Sequence, residues 1–138
     1  MTLSSLLLGA GRGRERWAEV GGSMIVVDTL VHNLLHRTGI LHRLHAGHSY
    51  GPICYRQSGC VGVLEAISQC IDARTFNPEF PTIFPRFVQH AVWRYCAQSG
   101  LNVCNGNRID DRDSCANVYC RIFGECDRIA LRNYAITT

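Results

Sequence analysis

Cys104, Cys115, Cys120 and Cys126 fall in one short run, spaced C-x10-C-x4-C-x5-C within CNGNRIDDRDSCANVYCRIFGEC. Four thiolates this close can enclose one metal centre, either a zinc ion or an iron–sulfur cluster. The surrounding segment needs such a staple. It holds Arg108, Asp110, Asp111, Arg112 and Asp113 with only scattered apolar residues, too few to bury a core of its own. The separations depart from the paired C-x2-C knuckles of zinc ribbons, which favours a cluster over zinc. The competing reading makes each cysteine a small buried hydrophobe. That suits Cys70 and Cys96, expected in the core of helical stretches, better than four thiols in a polar loop.

A second group lies in segment 41–60, LHRLHAGHSYGPICYRQSGC, which is rich in His, Gly and Cys. His42, His45, His48, Cys54 and Cys60 can form another, zinc-like site there. The alternative is an exposed loop with incidental histidines and buried thiols. His32 and His36 are four residues apart on one predicted helix. They either face a ligand together or lie on the helix surface.

The elements that must position these groups are mostly helical. In residues 1–23 an apolar stub, a Gly-X-Gly turn and a basic stretch precede Gly21-Gly22-Ser23, which is expected to break the chain. Met24-Ile25-Val26-Val27 reads as a short buried segment feeding a helix. Asp28 or Thr29 can cap that helix. Leu30, Val31, Leu34 and Leu35 form its apolar stripe, His36 and Arg37 its last turn, and Gly39 suits the C′ position. A helix is predicted over 61–73, with Val61, Leu64, Ile67 and Ile71 on one face. Three prolines, Pro78, Pro81 and Pro85, forbid regular structure between 76 and 85. Another helix over 86–97 is expected to bury Phe87, Ala91, Val92 and Tyr95. The fold class is therefore all-α, with a segment 1–23 holding a hairpin, a helical domain 24–103, and a metal-binding loop and tail 104–138.

Composition narrows the chemistry. All 14 basic residues of the 138 are arginine, so a Schiff-base lysine is excluded. Anions must be met by guanidinium groups, helix N-termini or backbone amides. The net charge of +3 permits nucleic-acid binding without demanding it. Arg108, Arg112, Arg121 and Arg128 lie in or beside the cysteine loop. They either present to phosphates or pair with Asp110, Asp111, Asp113 and Asp127. No apolar run is long enough to span a bilayer. The apolar stretch 3–10 is followed, rather than preceded, by its arginines, the reverse of a signal peptide. A cytoplasmic protein is expected, so the eight cysteines argue for metal more than for a disulfide scaffold.

Three blocks, in order, carry a resemblance. VVDTLVHNLLHRTGIL (26–41) is similar to the helix following the hairpin of the helix-hairpin-helix DNA glycosylases, the endonuclease III and adenine glycosylase superfamily. LLGAGRGRE (7–15) resembles that family's hairpin, keeping Leu7, Gly9, Gly11 and Arg12 but not its proline. FPRFVQHAVWRYCAQSGLNVC, with the cysteines after it, resembles the closing helix and [4Fe–4S] loop; the last cysteine gap matches and the first two are longer. The resemblance implies a DNA-binding protein in base-excision repair, with Cys104, Cys115, Cys120 and Cys126 holding a [4Fe–4S] cluster. It implies Asp28 as the catalytic carboxylate, Gly9 and Gly11 as phosphate-facing hairpin glycines, and Arg108, Arg112 and Arg121 as DNA contacts. Gly13 stands where bifunctional members carry a nucleophilic lysine, so any activity would be that of a monofunctional DNA N-glycosylase. The family's N-terminal helices, which build half of the base pocket, have no counterpart here. A flipped base needs a closed pocket, so the expectation is a degenerate or incomplete relative, or one completed by a partner chain. The alternative function is a non-enzymatic interaction module stapled by zinc or an iron–sulfur cluster.

Overall fold

The computed structural model describes residues 3–9 and 11–131. Ala10, inside the hairpin stretch, and residues 132–138 of the predicted tail lie outside the described residues. Six helices and two short 3₁₀ turns, with no strand among the described residues, make the fold all-α. Helix α1 (Leu3–Leu8) packs against α2 (Glu15–Ser23); α3 (Thr29–Arg37) is followed by the single-turn α4 (Ile40–Arg43). Two longer helices complete the set, α5 (Cys60–Gln69) and α6 (Pro85–Cys96), with 3₁₀ turns at Pro52–Tyr55 and Ala73–Thr75. The cysteine loop after α6 has no regular structure.

α3 is the centre of the molecule. Asp28 starts it by accepting the Val31 N–H at 3.0 Å, which satisfies one of the orphan donors of the first turn. Val31, Leu34 and Leu35 are buried on the expected stripe, against Leu41, Leu64, Val63 and Val88. Each such side chain removed from water contributes about 1.5–3 kcal/mol. Gly39 ends the helix with φ of 82°, as the C′ position requires. It has a second reason to be glycine, since a Cβ there would overlap the Asp127 carboxylate.

Three expectations are corrected. The glycine pair does not break the chain: Gly21 and Gly22 sit buried in the last turn of α2. A Cβ at Gly22 would already lie 3.4 Å from the Phe84 ring, so small size lets α2 settle against the residue before α6. The helix predicted over 61–73 stops at Gln69, and Asp72 instead caps the next 3₁₀ turn through the Arg74 N–H. That early stop leaves Cys70 exposed rather than in the core, whereas Cys96 is fully buried. On α6 the buried positions are Val88, Gln89 and Cys96, with Ala91 exposed; the inward face is rotated from the predicted one.

The loop returns to the body through backbone bonds. Asp127 N–H donates to Thr38 O (3.3 Å) and Ile129 N–H to Arg37 O (2.9 Å). Carbonyls at the end of α3, which have no partner within the helix, are thereby satisfied. Two ion pairs fasten the same junction: Arg37 with Asp111, and Arg43 with Asp127.

Candidate metal centres

Four side chains from three elements and a loop converge beside the first turns of α3. His32 projects from α3, His48 from the loop after α4, Cys54 from the 3₁₀ turn and Cys60 from the first turn of α5. Their ligand atoms all lie within 4.8 Å of one another, and this group can hold a metal ion. His32 Nδ1 is 3.3 Å from Cys60 Sγ and 3.5 Å from Cys54 Sγ; His48 Nε2 is 3.4 Å from Cys60 Sγ. Cys54 and Cys60 are fully buried, His32 is buried and His48 is half-buried.

Local sequence places each of these atoms. Pro52 opens the 3₁₀ turn with its fixed φ. Tyr55 at its end donates its hydroxyl to Val27 O at 2.9 Å, tying the turn to the chain just before Asp28. A Cβ at Gly62 would overlap the Gln57 carbonyl, so glycine is what allows that backbone to lie against α5 and bring Cys54 to Cys60. His48 Nδ1 is 2.6 Å from Ala46 O. A carbonyl only accepts, so Nδ1 carries the proton and the Nε2 lone pair faces Cys60. Such a backbone partner on the second ring nitrogen is usual for metal-binding histidines.

The electrostatics keep the imidazole neutral. Burial, with lesser contributions from His48 and His36, lowers His32 to about 4. Burial, then the adjacent Cys54, pushes the Cys60 thiol up to about 12. A bound cation inverts the thiol's preference, because a coordinating thiol loses its proton.

Segment 41–60 therefore contributes three of its five expected ligands. His42 and His45 stay exposed, and His42 packs edge-on against His36, with centroids 5.1 Å apart. Of the α3 pair only His32 joins the group, while His36 stacks beside it at 6.2 Å. The repeated gap His48-x5-Cys54-x5-Cys60 was the available signal within the loop. Nothing in spacing alone pointed to His32 as the fourth member.

The second centre is the cysteine loop. Cys104, Cys115, Cys120 and Cys126 line one recess, walled by Arg37, Ile109 and Phe123 among others. None of the eight cysteines forms a disulfide. Among the described residues the His/Cys group is the one whose ligand atoms come together closely enough to hold a metal ion; the four loop thiols line their recess without forming a second such group. Cys126 Sγ lies 3.6 Å from Arg37 O, and the Tyr95 hydroxyl 3.0 Å from Cys120 Sγ. A hydrogen bond from the Cys96 thiol and the nearby Arg37 guanidinium lower Cys104 to about 7, against its burial. Burial raises Cys126. Arg37 is buried to 2% exposure, and its Nη1 has no hydrogen-bond partner. The recess is small, about 20 Å³, and the Arg37 guanidinium beside it favours the thiolate form of Cys104.

The remaining predicted residues are dispersed. Asp28 is the half-buried N-cap of α3 and does not line the large groove of about 1190 Å³ bounded by Glu15, Glu19, Glu65, Glu79, Phe80 and Phe84. Gly9 and Gly11 are exposed in the α1–α2 turn. Arg108, Arg112 and Arg121 are exposed, and among the described residues none is in an ion pair. Of the acids set against them, Asp111 and Asp127 are taken by Arg37 and Arg43 of the helical body. Arg128 lies over the Phe123 ring at 4.7 Å. Comparison of the chain with protein-family models, with curated proteins and with solved structures finds no match.

Proposed function

We propose that this chain is a DNA-binding module of the helix-hairpin-helix glycosylase type, whose loop 104–126 is stapled by a [4Fe–4S] cluster on Cys104, Cys115, Cys120 and Cys126. One observation carries the reading: the four thiols of a polar loop line a single recess that the buried Arg37 also walls. In a cubane each thiolate binds its own iron, so a cluster, unlike a lone zinc ion, does not need the four sulfurs to meet at one point. The cluster would hold the loop's shape. The exposed arginines Arg108, Arg112 and Arg121, together with the amide of Gly11, would meet phosphates; the Gly9 N–H already donates to Ser5 O at 3.1 Å, so Gly9 would offer only the close approach that a missing side chain allows. If base excision occurs, Asp28 is its carboxylate and the reaction is hydrolysis, since no lysine is available for a covalent route.

A non-enzymatic interaction module is the second reading. It is favoured by the engagement of Asp28 as a helix cap outside the large groove. Anaerobic purification with iron and sulfide analysis tests the cluster. About four irons per chain and a broad band at roughly 400 nm are expected. A colourless, iron-free chain would sink the reading. Base release from duplex DNA by the iron-loaded chain then separates the glycosylase from the interaction module.

A further inference from the structure

We propose that His32, His48, Cys54 and Cys60 bind one zinc ion in a closed tetrahedral site, separate from the cysteine loop, that anchors segment 46–60 to the start of α3. The inference does not rest on the function proposed above. It rests on geometry. Zinc bonds of about 2.3 Å to sulfur and about 2.0–2.1 Å to nitrogen set the edges of a tetrahedron, with N···S separations of about 3.6 Å. The three N···S distances here are 3.3, 3.4 and 3.5 Å. These three edges already match to a few tenths of an ångström, and the remaining separations, none above 4.8 Å, close by at most about 1 Å when an ion enters.

The donor set selects the metal. Two thiolates and two imidazoles in a tetrahedron suit zinc, and exclude magnesium and calcium, which take oxygen. The backbone acceptor on His48 Nδ1 fixes the tautomer that offers Nε2 inward. Four protein ligands leave no open position for water or substrate, so the ion is structural rather than hydrolytic. Its mechanical effect follows from Tyr55, whose hydroxyl binds Val27 O. Securing the 3₁₀ turn through Cys54 thus also steadies the backbone entering Asp28.

The test is zinc and iron content of the chain purified without chelator, together with cobalt(II) substitution. One zinc per chain is expected in the wild type and in Cys115→Ser, whose change lies in the other recess. Cys54→Ser should hold at least tenfold less zinc, and His48→Cys, which replaces one ligand by another, should keep it. The cobalt form should show tetrahedral absorption with charge transfer from two thiolates, unchanged in Cys115→Ser. In Cys115→Ser, whose loop no longer offers four thiols, cobalt binding reads the site with all of its own ligands in place, so misfolding of Cys54→Ser cannot hide the answer. Full zinc in Cys54→Ser, loss of all zinc in Cys115→Ser alone, or no thiolate charge transfer from cobalt would overturn the proposal in favour of plain thiol–imidazole hydrogen bonds. An iron-free loop that itself takes zinc would add a second zinc to the wild type, lost in Cys115→Ser while the first remains, which keeps this inference distinct from the cluster reading.

Discussion

Exchanging one carboxylate oxygen for an amide nitrogen separates the two roles open to Asp28. As a cap it accepts the Val31 N–H, and asparagine does this about as well as aspartate. As a catalytic group it must carry charge to stabilise a developing oxocarbenium ion, which asparagine cannot do. Asp28→Asn should therefore melt close to the wild type while losing any base-release activity. Asp28→Ala should lose both, with a stability cost of about 1 kcal/mol. Thermal melts and product assays on the two variants check this, and undiminished base release in Asp28→Asn would remove Asp28 from the reaction.

At the scale of elements, the sign of one substitution is informative. Replacing glycine by alanine inside a helix ordinarily stabilises by up to about 1 kcal/mol. Gly62 lies in α5, yet its Cβ would meet the Gln57 carbonyl. Gly62→Ala should instead destabilise by about 1–3 kcal/mol and weaken metal retention, because the backbone that carries Cys54 is pushed off Cys60. Denaturant melts with and without added zinc read both effects, and a stabilised Gly62→Ala would show that the approach is not required.

The same helices show what the sequence made legible. α3 was readable from end to end, since its cap, stripe and C′ glycine are local signals, and the structure has Asp28, Val31, Leu34, Leu35 and Gly39 in those places. α6 was readable in extent because Pro85 marks its start, though its buried face was not, since partners arriving from α2, α3 and α5 select it. Gly21-Gly22 was misread because glycine signals a break locally but permits close packing in three dimensions. The grouping of His48, Cys54 and Cys60 was visible in part, as a cluster within one loop. His32 was not, because its membership depends on tertiary packing.

At the scale of the molecule, two surfaces differ in the charges that line them. Glu15, Glu19, Glu65 and Glu79 line the large groove, which therefore turns phosphate away, while Arg108, Arg112 and Arg121 stand exposed on the cysteine loop. If that loop meets DNA, replacing one of these arginines by alanine should weaken binding of all sequences alike. It should also lower the slope of log affinity against log salt by about 0.9 for each phosphate no longer neutralised. Fluorescence titrations across a salt series provide the measurement. Slopes that stay the same in the triple variant would place DNA, if it binds at all, elsewhere.

The order in which ligands leave the ribosome differs between the two centres. Every member of the His/Cys group precedes residue 61, whereas the loop thiols extend to Cys126. Chains are made at about 5–20 residues per second, and N-terminal parts fold first. If the proposed ion binds, a nucleus around α3 can therefore form while the cysteine loop is still being synthesised. The end of α3, with its waiting carbonyls at Arg37 and Thr38, would then be ready as a template when the late loop emerges.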